Sequence, residues 1–481
     1  MRSEHIYHEI NRVATHDMKT QHFINALLPP VVAGTQVANF NVSASIAAQY
    51  GCNGTCYEAF STGIAEDFAE FGALYNESFY ATARNFSNSV PGDILKWQSI
   101  DPKDFAGSVP PGISAYRIQY TSVDLFGKNV PVTGFVAFPY ASPRDGHFYR
   151  TVAWAHGTSD VFKGCAPSAM PDLYEYDSWA LLTERGYAVI ATDYAGLGNN
   201  YIGHPYSALV SHANDVYYSV AASRKIWGGS LSKDWMSVGH SEGGGTVWSL
   251  AESSLVADST GIAGKYLGTV AQAPGVFQGQ TALAATEAAE TATSPDTDAG
   301  AGVLGELGWA VIGLENVYPN ETFSWLDPTY RQRLELARKA QACYDSMEAI
   351  ATGLDIDEII DLSDANVAMQ ALRVIGIIDE LSAVGGNKSC QPVLVVQGLA
   401  DTSVSPEVTE YAWNVTCEAG SEVHLQLYPD IDHDPVIPVS ASSFLQWMDD
   451  RFNGKNTNGK CSKVTVEPFD AHNVYAPVDE D

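Results

Sequence analysis

Residues 235–245 read WMSVGHSEGGG. The first six form a short apolar run of strand type, and GGGTVWSLAES (243–253) continues with apolar residues at helical spacing. Ser241 therefore falls on a strand-to-helix turn, inside the G-x-S-x-G pentapeptide Gly239–Gly243. The flanking glycines let the backbone take a strained turn and leave room around the hydroxyl. The helix N-terminus supplies partial positive charge and free N–H groups where an oxyanion would form. A Gly-rich turn closing a strand–helix unit would use the same residues without chemistry, so the rest of the chain has to supply partners.

Working outward, short apolar runs recur: TVAWAH (151–156), YAVIATDY (187–194), YLGTVAQA (266–273) and PVLVVQG (392–398), separated by helical stretches. That is the pattern of a mostly parallel sheet covered on both faces, an α/β fold. Ahead of them, ISAYRIQYTSVD and VPVTGFVAFPY alternate around Phe126-Gly127-Lys128 and predict a hairpin. Residues 60–100 read as helical up to Pro91-Gly92. After PVLVVQG come a helix (EVTEYAWNV), a strand (EVHLQLYP), a last helix (ASSFLQWMDDRF) and a polar tail in which Val464–Val466 could add an edge strand. Between about 275 and 388 the alternation breaks. There an Ala/Thr/Glu tract (283–302) leads into helical segments, one carrying Leu336, Ala340, Cys343, Met347 and Ile350 at spacings of four and three, which predicts an inserted helical cap.

A serine hydroxyl is a poor nucleophile at neutral pH and needs a base oriented by a third group. In the chain order Ser, acid, His, Asp401 sits just past the end of PVLVVQG, at the edge where open α/β sheets place their sites. His433 follows in DIDHDPV, after the next strand. Asp430, Asp432 and Asp434 are rival acids, but they share a loop with the base and would need a tight backward turn. One oxyanion donor is expected from the N–H of Glu242, the other from the loop His156-Gly157-Thr158-Ser159-Asp160, with His156 a structural histidine holding that loop. The apolar cap segment LGWAVIGL (307–314) either lines an acyl site or packs as a buried helix.

Composition narrows the partners. The 481 residues carry 26 Lys+Arg against 57 Asp+Glu, a net charge of −31, with 45% hydrophobic and 17% charged residues. The chain is globular, and such acidity argues against nucleic-acid binding or a polybasic membrane anchor. No apolar run is long enough to span a bilayer. From Met18 the sequence has the layout of a secretory signal peptide, with cleavage expected near Val31–Gly34 and residues 1–17 ahead of the true start. Removal of 1–33 takes away three basic and three acidic residues and leaves the charge unchanged. N-x-S/T sequons at Asn41, Asn53, Asn76, Asn85, Asn320, Asn387 and Asn414 point the same way. The seven cysteines (Cys52, Cys56, Cys165, Cys343, Cys390, Cys417, Cys461) contain no C-x-x-C pair, so neither metal nor cofactor is expected. In an oxidising compartment six could pair, leaving one free.

Taken together, AHGTSDVFKGCAPS (155–168), DYAGLG (193–198), GHSEGGG (239–245), GLAD (398–401) and DIDHDP (430–435) resemble the fungal secretory lipases of the lipase A type. The resemblance covers roughly residues 100–450. It implies an α/β-hydrolase fold with a helical cap over an acyl pocket, and a triad of Ser241, Asp401 and His433. It further implies Asp160 as the second oxyanion donor, and disulfides Cys165–Cys343 and Cys417–Cys461. Glu242 departs from the small residue common in these lipases, and a charged side chain there would count against long-chain triacylglycerols. The expected organisation is a tail and signal segment (1–33), an N-terminal helical extension (34–110), a core (111–274 and 389–452), the cap (275–388) and a C-terminal tail (453–481). The expected activity is that of a secreted serine hydrolase cleaving carboxylic esters of lipid or other acyl type through an acyl-enzyme, with no particular oligomer implied. A short-chain or acetyl esterase, a serine aminopeptidase and a catalytically silent binding protein on the same scaffold are the alternatives.

Overall fold

A computed structural model describes residues 42–71, 75–143, 148–282, 299–362 and 364–477. The signal segment, Asn41 and most of the Ala/Thr/Glu tract lie outside them. Ten strands form one sheet among the described residues: β1 (Ile94–Ser99), β2 (Ser114–Val123), β3 (Asn129–Phe138), β4 (Tyr149–Ala155), β5 (Ala188–Thr192), β6 (Leu231–His240), β7 (Lys265–Gln272), β8 (Val393–Gly398), β9 (Val423–Tyr428) and β10 (Ser462–Thr465). Their order is β1-β2-β3-β5-β4-β6-β7-β8-β9-β10. The pairings from β1 to β5 by way of β3 are antiparallel and the others parallel.

The longer helices are α1 (Thr55–Glu70), α2 (Leu209–Trp227), α3 (Glu242–Glu252), α4 (Ala299–Val317), α5 (Pro328–Ala340), α6 (Ala365–Ser382), α7 (Pro406–Glu418) and α8 (Val436–Phe452). The period-two alternation of strand side chains divides the core into two layers. In β8, Val393 and Val395 pack with Val220 of α2, Trp248 of α3 and Val408 of α7 in one layer. Leu394 and Val396 join Trp179 and the α8 residues Phe444 and Met448 in the other. Burial on both faces explains why the central strands read as unbroken apolar runs.

Between β7 and β8 the chain builds the cap, whose own core gathers Trp309, Leu334, Met347 and Val374. Two features differ from the sequence reading. First, the helical run expected through 60–100 is α1 plus a short turn, Glu77–Tyr80, and then gives way to the edge strand β1. Helix α1 packs into the cap core through Phe60. Its Asp67 carboxylate accepts the backbone N–H groups of Cys343 (3.0 Å) and Asp345 (3.1 Å), and Gly63 is needed because a Cβ would come within 2.7 Å of the Asp345 backbone. Second, the single helix expected through Leu336–Ile350 breaks at Gln341, which takes a left-handed φ of 54°, and a short helix resumes at Tyr344–Glu348. All five apolar positions of that pattern are nonetheless buried.

Three disulfides join Cys52–Cys56, Cys165–Cys343 and Cys417–Cys461, leaving Cys390 as a thiol. The two pairings implied by the resemblance are both present. Cys165–Cys343 ties the loop after β4 to the cap.

Candidate active site

The order β3-β5-β4-β6 sends the chain from β4 to opposite sides of the sheet, so the loops leaving the C-terminal ends of β4 and β6 open a crevice there. Ser241 follows β6 at that edge with φ 55° and ψ −122°, a conformation that L residues rarely adopt. The backbone is held there by Ser241 N–H donating to Gln272 O (3.0 Å) and by Ser241 O accepting from Gly275 N–H (2.7 Å). A Cβ on Gly243 would lie 2.0 Å from Ala155 O, which explains the glycine after Glu242.

Asp401 and His433 meet as the chain order suggested. His433 Nδ1 lies 2.9 Å from Asp401 Oδ2, and both side chains are buried. Asp401 Oδ1 accepts the N–H groups of Ser403 (3.0 Å) and Val404 (2.7 Å), and Oδ2 also accepts from Gln397 Nε2 (2.7 Å). Gln397 is itself fixed by the Thr409 hydroxyl, which donates to its Oε1 at 2.9 Å. The carboxylate therefore points along a set direction before it orients the imidazole. The rival Asp432 is engaged elsewhere, its Oδ1 accepting from the N–H groups of His433 (2.9 Å) and Thr402 (3.0 Å). Asp434 is exposed and lies 3.6 Å from His240 Nε2.

Ser241 and His433 border one cavity of about 290 Å³, reached also by Gly157 and Thr158 of the loop after β4. Asp160 belongs to that loop with φ 120°, but its side chain turns away. It is buried, its carboxyl accepting from Val161 N–H and from Trp309 Nε1 of α4 at 2.7 Å. Burial pushes this carboxyl well above its ordinary range. His156 packs against the Tyr194 ring with centroids 4.3 Å apart, and burial lowers its pKa to about 3, so it is a neutral structural group.

Glu242 contradicts one sequence expectation. Its side chain is 1% exposed and does not border the cavity. It turns beneath the elbow, where Oε1 accepts from Ser207 N–H (2.9 Å) and lies 3.4 Å from His212 Nδ1 and 3.9 Å from His204 Nε2. His204 and His212 could join Glu242 around a cation, because one ligand atom from each lies within 4.8 Å of the others. Burial raises the Glu242 carboxyl to about 8, which favours its neutral form at neutral pH.

Sequence reasoning missed Gln397, His240 and most of the cavity wall. A glutamine inside an apolar strand was the available signal for the first. His240, read only as the variable position of the pentapeptide, lies with its ring centroid 4.5 Å from that of His433 and its Nδ1 3.2 Å from the Tyr176 hydroxyl. The segment Asp172-Leu173-Tyr174-Glu175-Tyr176 alternates acids with tyrosines, and Asp172, Tyr174, Glu175 and Tyr176 all border the cavity.

Comparison with solved structures decides the architecture. The chain superimposes on Candida antarctica lipase A in its closed state with a TM-score of 0.60 at 15% identity, covering 82% of this chain and 90% of that one. It is an α/β-hydrolase by fold. A Legionella pneumophila protein aligns with this hydrolase fold at a TM-score of 0.61, with 17% identity over 76% of this chain and 100% of that one. The rice cell wall degrading esterase LipA from Xanthomonas oryzae gives a TM-score of 0.56 at 17% identity, with the same coverage. No family profile and no curated sequence matches the chain.

Proposed function

We propose that this α/β-hydrolase is a secreted serine hydrolase of carboxylic esters. The observation that carries the reading is the Asp401–His433 contact of 2.9 Å at the cavity that also holds Ser241 on its strained turn. In the proposed reaction His433 takes the Ser241 proton as Oγ bonds to the ester carbonyl carbon. The resulting oxyanion is met by the backbone N–H groups of Glu242 and Asp160, while Asp401 stabilises the imidazolium. Collapse expels the alcohol, which receives the proton from His433. Water then repeats the sequence on the acyl-enzyme and releases the acid. The solved neighbours named for lipase and esterase activity favour this chemistry. Secretion is supported by three disulfides and by the exposure of all six described sequon asparagines, from Asn53 to Asn414. Among the described residues no helix is long and apolar enough to cross a membrane.

The small cavity, with its charged walls, favours a short-chain esterase over a lipase acting on long acyl chains. The test is hydrolysis of a p-nitrophenyl ester series by wild type and Ser241→Ala. Activity falling steeply beyond butyrate is expected, with the variant reduced to background. Full activity in Ser241→Ala, or none in the wild type on any chain length, would reject the mechanism. Cleavage of aminoacyl anilides in preference to esters would identify a peptidase instead, and binding without turnover a silent scaffold.

A further inference from the structure

The cavity at Ser241 carries more carboxyl groups than ester hydrolysis requires. Glu70, Asp345 and Glu348 border it from the cap side, and Asp172, Glu175 and Asp434 from the loops above the sheet. Among the described residues no Lys or Arg lines the cavity, and none pairs with Glu70, Asp172, Glu175 or Asp345. Two of these carboxylates have structural work to do. Glu175 accepts the N–H groups of Ser178 and Ala180, and Asp172 accepts that of Tyr174. Glu70 has no such tie. Though Glu70 keeps an exposed edge, partial desolvation first, then the charges of Asp172, Asp345 and Asp67, lift its pKa to about 7. Asp345 is lifted to about 6 by burial and by Glu66. The wall also presents rings, among them Tyr174, Tyr176, Trp309 and Tyr344.

The serine and its base define the site, and the carboxylates determine which substrates it favours. An uncharged acyl chain entering this space would strip water from the acids and return nothing. A cation entering it would gain ion pairing in a region of reduced dielectric and attraction to the faces of the aromatic rings. We propose that the cavity binds an ammonium group of the substrate, protonated or quaternary, so that the enzyme prefers positively charged esters to neutral ones of the same shape. This rests on the ester-hydrolase reading above and adds the substrate class.

Two isosteric pairs test it. Butyrylcholine is compared with the ester in which carbon replaces the quaternary nitrogen, placing the charge in the alcohol. The p-nitrophenyl ester of ε-aminohexanoic acid is compared with that of heptanoic acid, placing it in the acyl group. The expected result is a kcat/KM higher by about tenfold or more for the charged member of at least one pair, shrinking as sodium chloride is added. Asp345→Asn and Glu348→Gln should each lower that ratio. Ratios near one in both pairs, with the esters turned over, would overturn the proposal and leave the ester-hydrolase reading intact. Calorimetric binding to Ser241→Ala separates the other failure. Butyrylcholine binding more tightly than its isostere supports the cationic site even if no ester is hydrolysed, and equal binding overturns it.

Discussion

At the scale of single residues, the site is legible where chemistry and chain position coincide. Ser241 and Asp401 stand out because a strand end fixes each one's setting, and His433 because it follows the acid in the expected chain order; the structure brings Asp401 and His433 to 2.9 Å, and His433 and Ser241 to one cavity. Gln397 does not stand out, since its role depends on a side chain folding back four residues to Asp401 Oδ2. Glu242 misleads for a similar reason: sequence gives its charge when ionised, but only packing against His204 and His212 reveals that burial neutralises it. Asp401→Asn should lower kcat about 10²–10⁴-fold by presenting the wrong hydrogen-bonding partner to His433 Nδ1. Gln397→Ala should lower it about tenfold, with KM little changed, because it loosens the carboxylate without touching the reacting atoms. Steady-state kinetics on one ester checks both, and a Gln397→Ala effect confined to KM would contradict a positioning role.

At the scale of elements, most strands were readable because buried strands in a parallel sheet are short, apolar and separated by helices of different period. Strand β1 escaped because its sequence, Ile-Leu-Lys-Trp-Gln-Ser, is half-exposed at the sheet edge and interrupted by a register shift between Ile94 and Lys96. The break at Gln341 escaped because periodicity records which side chains are buried, and all five of the expected positions are. What interrupts the helix is long-range: Asp67 of α1 takes the N–H groups of Cys343 and Asp345, and Cys165 bonds to Cys343. The cap is thus fastened to the loop after β4 by a disulfide closing 178 residues and by the Trp309–Asp160 hydrogen bond. Paired Cys165→Ser and Cys343→Ser substitution should cost about 2–5 kcal/mol of stability, read as a lower denaturant midpoint. An unchanged midpoint would show that the cap holds without this link.

At the scale of the whole molecule, the net charge of −31 is joined by several acids, fully or partly withdrawn from water, whose pKa values rise on folding. Burial raises Asp67, Asp215, Glu70 and Glu175 to about 7, Asp193, Asp345 and Asp379 to about 6, and Glu242 to about 8. Each binds its proton more tightly folded than unfolded. The stability it contributes is complete below the unfolded value near 4 and is lost as pH rises through 6 to 8. Buried histidines act in the opposite sense: His156 at about 3 and His204 at about 4 remain neutral in the fold, so stability falls as pH drops below 6.5 toward those values. The acids are more numerous, and the repulsion within a polyanion grows in the same direction as their loss. The melting temperature should therefore peak near pH ~4–5 and decline steadily toward pH ~8. A melting temperature that rises between pH ~5 and ~8 would contradict this account.

The central claim is that Ser241 is an activated nucleophile, and covalent capture tests it most directly. Wild-type protein is treated with a fluorophosphonate, which reacts with activated serines, and the modified residue is located by peptide mass spectrometry. Stoichiometric labelling at Ser241 is expected, abolished in Ser241→Ala and strongly slowed in His433→Ala. Labelling at another residue, or none at Ser241 in folded protein, would contradict the claim.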